Sequence, residues 1–218
     1  MLLNSSAVDL VDHLLTYVWK DLAATGHLKS VQAIQKSQAP YLVQISGATA
    51  LAADEIIASK TGSYTFGSRS DLVFDDVDGI ESIRDVIHRN SASRAVDSYV
   101  LDQARPVRTA LIFGPIIYGQ GRGPVNQRSI QIPSLVKATF KRGRGVRVGE
   151  GLSRWGSVHV ADVSSLIVNL VEKAALGRAE DKDSLWSENG LYLAGTEELV
   201  CLNLEPTNTS ETSAVLDS

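Results

Sequence analysis

Residues 107–114 read VRTALIFG, and the chain runs on as PIIYGQGRGPVN to residue 126. The first stretch is too uniformly apolar for a strand with one wet face. Strands covered on both sides belong to parallel sheets flanked by helices. Upstream, after Pro40, YLVQIS (41–46) is short, apolar and rich in strand formers, so a second buried strand is expected to end at Ser46. Residues 47–79 carry many Gly, Ser and Asp and predict a loop with one short helix near 51–59. A long helix is expected over about 81–103, with Ile83, Val86, Ile87, Val96, Tyr99 and Val100 on one face. Strand, helix, strand in this order predicts a right-handed crossover, hence an α/β fold with the two strands parallel and close together.

The glycines that follow the apolar run raise the question of a phosphate loop. A dinucleotide fingerprint places its glycines between a strand and a helix N-terminus, where amides and dipole meet the pyrophosphate. Here Gly119, Gly121 and Gly123 come five or more residues after the strand, and Pro124 and Asn126 follow instead of a helix. The spacing rejects a first-turn phosphate loop.

Further helices are expected in IPSLVKATFKRG (132–143) and DVSSLIVNLVEKAALG (162–177), with VRVGEG (146–151) as a short strand and turn between them. The second helix has a stripe of Val163, Leu166, Ile167, Leu170, Val171 and Ala174, with Asp162 expected to cap its start and Gly177 its end. Near the N-terminus, Val8, Val11, Leu14, Leu15, Val18 and Leu22 repeat with helical period. Residues 207–218, TNTSETSAVLDS, are small and polar, and a disordered tail is expected.

Composition bounds the function. The 218 residues are 44% hydrophobic and 21% charged, as in ordinary globular proteins. A net charge of -4 argues against nucleic acid as a partner. The basic run KATFKRGRGVR (137–147) reads as a solvated helix end, since cations favour helix C-termini. A single cysteine, Cys201, and four histidines exclude an intrachain disulfide and a cysteine-rich zinc site, and no metal site is expected. The start MLLNSSAVDL lacks the pattern of a signal peptide, and no apolar run approaches the ~18 residues of a membrane helix. A cytoplasmic protein with no membrane association is expected.

Four segments in order, ISGATAL, VRTALIFGPIIYGQGRGPVN, SIQIPSLVKATFKRG and WGSVHVADVSSLIVNLVEKA, resemble the later parts of the extended short-chain dehydrogenase/reductases. More narrowly, they are similar to the fungal NAD-dependent epimerase/dehydratase-like proteins. The resemblance covers residues 1–193 and implies a partial Rossmann-like parallel sheet, helices on both faces and a reduced C-terminal substrate lobe. It implies oxidoreductase or epimerase/dehydratase chemistry with NAD or NADP on a small oxygenated metabolite in secondary metabolism. On the same ground, Ser46, Tyr118 and His88 are candidate catalytic groups. Gly47, Gly114 and Pro115 are candidate cofactor contacts, and Thr49, Asn126 and Arg154 candidate substrate contacts. Ser46 is the foremost, because ligands of open α/β sheets bind at the carboxyl ends of the strands. It is expected to polarise a carbonyl or hydroxyl. His159 and Asp162 are expected to orient a loop and cap a helix.

The chain also departs from the family. MLLNSSAVDLVDHLL resembles the fourth strand and its helix, so the first three strands, their Gly-x-x-Gly-x-x-Gly turn and the acidic ribose-binding residue have no counterpart. The family's Tyr-x-x-x-Lys pair is missing, Tyr64 leading to Ser68 and Tyr99 to Gln103. His88–Asn90 match a His-Arg-Asn segment of the fungal relatives, but SASRAVD follows where those pass directly to Val-Asp. A second reading therefore stands beside the first: a non-redox or inactive derivative that binds a small molecule or partner in the surviving cleft. A sheet lacking its first strands is also expected to self-associate through its N-terminal edge.

Overall fold

The computed structural model describes residues 40–103, 107–124, 127–145, 147–176 and 184–200. The expectations for the N-terminal helix and edge, Asn126, Gly177 and the tail at 207–218 fall outside these residues. In chain order the elements are β1 (Tyr41–Gly47), a 3-10 turn (Ala48–Ala50), α1 (Ala53–Lys60), α2 (Ile80–Arg89), α3 (Ala95–Asp102) and β2 (Arg108–Gly114). Next come β3 (Ile116–Tyr118), α4 (Gln131–Arg142), β4 (Arg154–His159), α5 (Val160–Leu176), a 3-10 turn (Ser187–Asn189), β5 (Leu191–Leu193) and β6 (Glu197–Val200). They form two compact units. Of the described residues, one comprises those of 40–53, Phe74–Phe113 and Ile167–Leu193, the other those of Asp54–Val73, Gly114–Leu166 and 194–200.

The first unit contains the sheet β1-β2-β5. β2 and β5 are parallel, with Leu111, Ile112 and Phe113 opposite Leu191, Tyr192 and Leu193. The Arg108 N–H donates to the Pro40 carbonyl at 2.8 Å, so β1 and β2 meet at their starts and run the same way. The α/β expectation and the parallel, neighbouring placement of the two strands hold. Their core joins Ile83 and Ile87 of α2, Val100 and Leu101 of α3, Leu111 and Phe113 of β2, Leu191 of β5, and Ala50. Ala110, Leu111, Ile112 and Phe113 are each at most 1% exposed, which is why β2 reads as a continuous apolar run. Burying a large side chain of this kind contributes about 1.5–3 kcal/mol.

Two expectations need correction here. YLVQIS is a strand but not a fully buried one. Tyr41 to Gln44 are half-buried and Ile45 is 46% exposed, and among the described residues β1 stands at one side of the order β1-β2-β5. The single helix over 81–103 is also two helices. Asn90 stops α2: its amide side chain donates to the Val86 carbonyl at 2.8 Å, and the Ser93 hydroxyl donates to the Asn90 carbonyl at 3.1 Å. Local bonds of this kind from Asn and Ser compete with helix propagation.

In the second unit, β3 and β4 are parallel, and β4 and β6 antiparallel. α4 lies where expected and ends at Gly143 in the left-handed conformation, φ 67°. No strand forms at Arg147–Val148. The amide of Leu152, just beyond, bonds to the Gly67 carbonyl at 2.7 Å in a loop, and Gly149 and Gly151 turn the chain at positive φ. α5 starts at Val160, so Asp162 sits inside its first turn rather than at the cap. His159 takes the capping role, its Nδ1 accepting the Ala161 N–H at 3.2 Å. Of the expected stripe, Val163 and Leu170 are buried, while Val171 is half exposed.

Candidate functional site

The carboxyl end of β1 delivers Ser46 and Gly47, and the following 3-10 turn carries Thr49. Ser46 is half-buried, and Gly47 and Thr49 are exposed. Asp97, in the first turn of α3, lies close enough to Ser46 for the serine hydroxyl to favour its ionised form. Asp97 is only 6% exposed. Burial pushes its carboxyl above the usual carboxylate range, while the Ser46 hydrogen bond and the Arg94 charge draw it back down. Arg94 sits immediately before α3 and donates through Nη2 to the Thr49 carbonyl at 2.7 Å. Its Nε is buried without a hydrogen-bond partner. Ser46, Asp97 and Arg94 thus form one cluster at the end of a parallel strand, where open α/β sheets bind ligands.

Asp97 and Arg94 were missed in the sequence because the one-helix reading placed them mid-helix. The signal that marks them is the Asn and Ser run NSAS at 90–93, whose local hydrogen bonds end one helix and let a second begin.

His88 lies beside this cluster but meets other residues. Its Nδ1 is 3.3 Å from the Ser98 hydroxyl and 4.0 Å from Asp102 Oδ1. A hydrolytic triad needs serine on one ring nitrogen and the carboxylate on the other. Here both converge on Nδ1, so the set links α2 to α3 and does not form a triad.

At the end of β5, Asp76 accepts the Leu193 N–H at 2.7 Å. The neighbouring Tyr192 hydroxyl donates to the Leu185 carbonyl at 2.6 Å. Burial, and secondly the Asp76 charge, push Tyr192 up to about 12. The folded value lies above the ordinary ~10 of an unfolded chain. Its contribution to stability is therefore complete below about pH 10 and disappears as the pH climbs through about 12. Alkaline difference spectroscopy is expected to show one tyrosine ionising last, near pH 12, with that step missing in Tyr192→Phe. Ionisation of every tyrosine near pH 10 would contradict the assignment.

The remaining candidates, from Gly114 onward, belong to the second unit. Gly114 ends β2 and is buried. Pro115 packs on Gly156 of β4, where a Cβ would come within 3.2 Å of the proline ring. Tyr118 ends β3, its ring edge-on to His159 with centroids 5.3 Å apart. Gly119 has φ 93° and lies against the His159 imidazole, where any Cβ would overlap the ring. Glycine here serves a close approach of side chain to backbone, which explains one glycine of the loop without a phosphate. Arg154 is engaged by Glu198 at 2.9 Å in an exposed ion pair across β4 and β6.

No strand among the described residues passes through a glycine-rich turn into a helix N-terminus. β4 enters α5 directly, and β2 leads to β3. The sequence itself contains neither Gly-x-Gly-x-x-Gly nor Gly-x-x-Gly-x-x-Gly. The residues present do not fit a nicotinamide dinucleotide's pyrophosphate. Among the described residues no helix is long and apolar enough to cross a membrane.

No protein-family profile matches the chain. It is 32% identical over 186 residues to oxidase ucsJ of an Acremonium species, a match covering 79% of this chain and 52% of that protein. The chain thus spans about half the length of this relative. Among solved structures it is similar to the UDP-glucuronic acid 4-epimerase of Bacillus cereus, determined in complex with UDP-glucuronic acid and NAD. That similarity covers 84% of this chain and 48% of the epimerase, with 13% identity and a TM-score of 0.41.

Proposed function

We propose that the chain carries the substrate-facing part of an oxidoreductase of the extended short-chain dehydrogenase type, acting on a small oxygenated metabolite of secondary metabolism. The observation that carries this reading is Ser46, at the carboxyl end of a parallel strand and near the buried carboxylate of Asp97. The 32% identity to an oxidase supports it. Ser46 meets the reacting oxygen of the substrate, with Asp97 and Arg94 behind it and Thr49 on the rim. NAD or NADP supplies hydride chemistry in the proteins the sequence resembles.

The test offers the purified chain a panel of small secondary alcohols and hydroxy-carbonyls with a high concentration of oxidised NAD or NADP, following reduced cofactor by absorbance. Turnover is expected with at least one member, and Ser46→Ala is expected to lower kcat by about 100-fold or more. Turnover that is indifferent to Ser46→Ala would refute the assignment. The misfit to the pyrophosphate favours a second reading, a non-redox protein that binds a small molecule at the same strand end. Binding of panel members without any cofactor reduction would decide for it.

A further inference from the structure

The charges of this chain are unevenly placed. Between Gly114 and Gly149 the sequence carries seven Lys and Arg and no Asp or Glu, although the whole chain is acidic at -4. The centre of this run is α4, in the second unit, and α4 buries none of its residues. Leu135, Val136 and Phe140 are 53%, 42% and 60% exposed. At ~100° per residue these three side chains share an arc of ~140° around the helix. By the same geometry Lys137 and Lys141 border the arc on one side and Arg142 on the other, and Arg144 follows the Gly143 cap. All four cations are exposed, and none is ion-paired with a carboxylate among the described residues. A solvated helix end accounts for the cations alone. It leaves three large apolar side chains in water between them.

We propose that α4 is a docking surface for a bilayer containing anionic lipid, lying along the headgroups with Leu135, Val136 and Phe140 inserted. A helix whose apolar arc is edged by Lys and Arg settles in the plane of an interface. The long cationic side chains keep their charge among the phosphates while their stems lie along the apolar layer. An acid-free basic surface is the electrostatic complement of anionic headgroups. Nucleic acid would engage the cations and leave the apolar arc uncovered. A symmetric second copy would set the same cations against one another. The contact is peripheral, since α4 has 12 residues where a spanning helix needs ~20. It reverses the sequence-based expectation of no membrane association. It involves neither Ser46 nor the strand end.

The test sediments the full chain with vesicles of phosphatidylcholine alone, or of phosphatidylcholine and phosphatidylserine in equal parts. Partitioning is expected to be about tenfold or more stronger onto the anionic vesicles, and to fall as salt is raised. The double variant Lys137→Gln, Lys141→Gln should weaken it about tenfold or more. Phe140→Ala, which leaves the charge unchanged, should weaken it about fivefold. Both variants alter exposed side chains, and an unchanged urea midpoint shows that the fold is kept. Should one of them unfold, the other decides together with the lipid comparison. Equal binding to both vesicles, binding that survives both variants, or no binding overturns the proposal. So does tighter binding to duplex DNA than to the anionic vesicles, or a dimer that Phe140→Ala dissolves while the vesicles take up no protein. Ser46 is unaltered and no substrate is present, so the result separates from the turnover assay.

Discussion

Phe113→Ala is expected to destabilise the chain by about 3–5 kcal/mol. Phe113 is 1% exposed at the end of β2, inside the cluster that joins Ile83 and Ile87 of α2, Val100 and Leu101 of α3, and Leu191 of β5. Truncation removes the transfer energy of the ring and leaves a cavity walled by residues from four elements, which cannot all collapse inward together. Domains of this size are stable by only about 5–15 kcal/mol. The substitution therefore removes a large share of the total, and urea unfolding should show it as a lower midpoint. Exposed Phe140, 60% accessible on α4, is the control and should change stability by less than about 0.5 kcal/mol when truncated. A loss below 1 kcal/mol for Phe113 would show that the helices do not close on β2 as described.

Calorimetric titration of the chain with NAD or NADP should give dissociation constants beyond the millimolar range. The sequence holds no glycine-rich pyrophosphate turn, and the described helix that follows a strand without a break, α5, has the amide of Ala161 in its first turn met by His159. Each charge-assisted hydrogen bond missing from such a site removes ~1.5–3 kcal/mol. Two or three of them turn a micromolar site into one weaker than millimolar. A low-micromolar constant for either cofactor would mean that other residues supply the phosphate contacts, and the argument from glycine spacing would have to be abandoned.

The sheet was legible because its physics is written locally. β2 is covered on both faces, and that coverage leaves no polar residue between Ala110 and Phe113 for the eye to trip on. Helix α4 and its Gly143 end were legible for a similar reason, since a left-handed cap has few alternatives to glycine. Ser46 could be singled out because strand ends are where such folds bind ligands. Its partner could not. Asp97 and Ser46 are 51 positions apart in the chain, and nothing in hydrophobic period reports which helical face meets which strand end. The start of α5 was misplaced for another reason. Asp162 is the better capping residue by type, but the chain gives the task to His159, whose ring nitrogen serves as acceptor.

The interruption at Asn90–Arg94 has a consequence for how such a site can change. In one unbroken helix, residues 88 and 98 would stand ~15 Å apart along the axis. Here their side chains meet at 3.3 Å. The short turn joins two helices that share one core, α2 through Ile83 and Ile87 and α3 through Val100 and Leu101, and it sets where Arg94 and Asp97 stand. Adding or deleting a residue in this turn would move α3 as a whole, shifting Asp97 at the strand end together with the core residues Val100 and Leu101. A change of length at this one spot therefore alters the strand end and the packing of the sheet together.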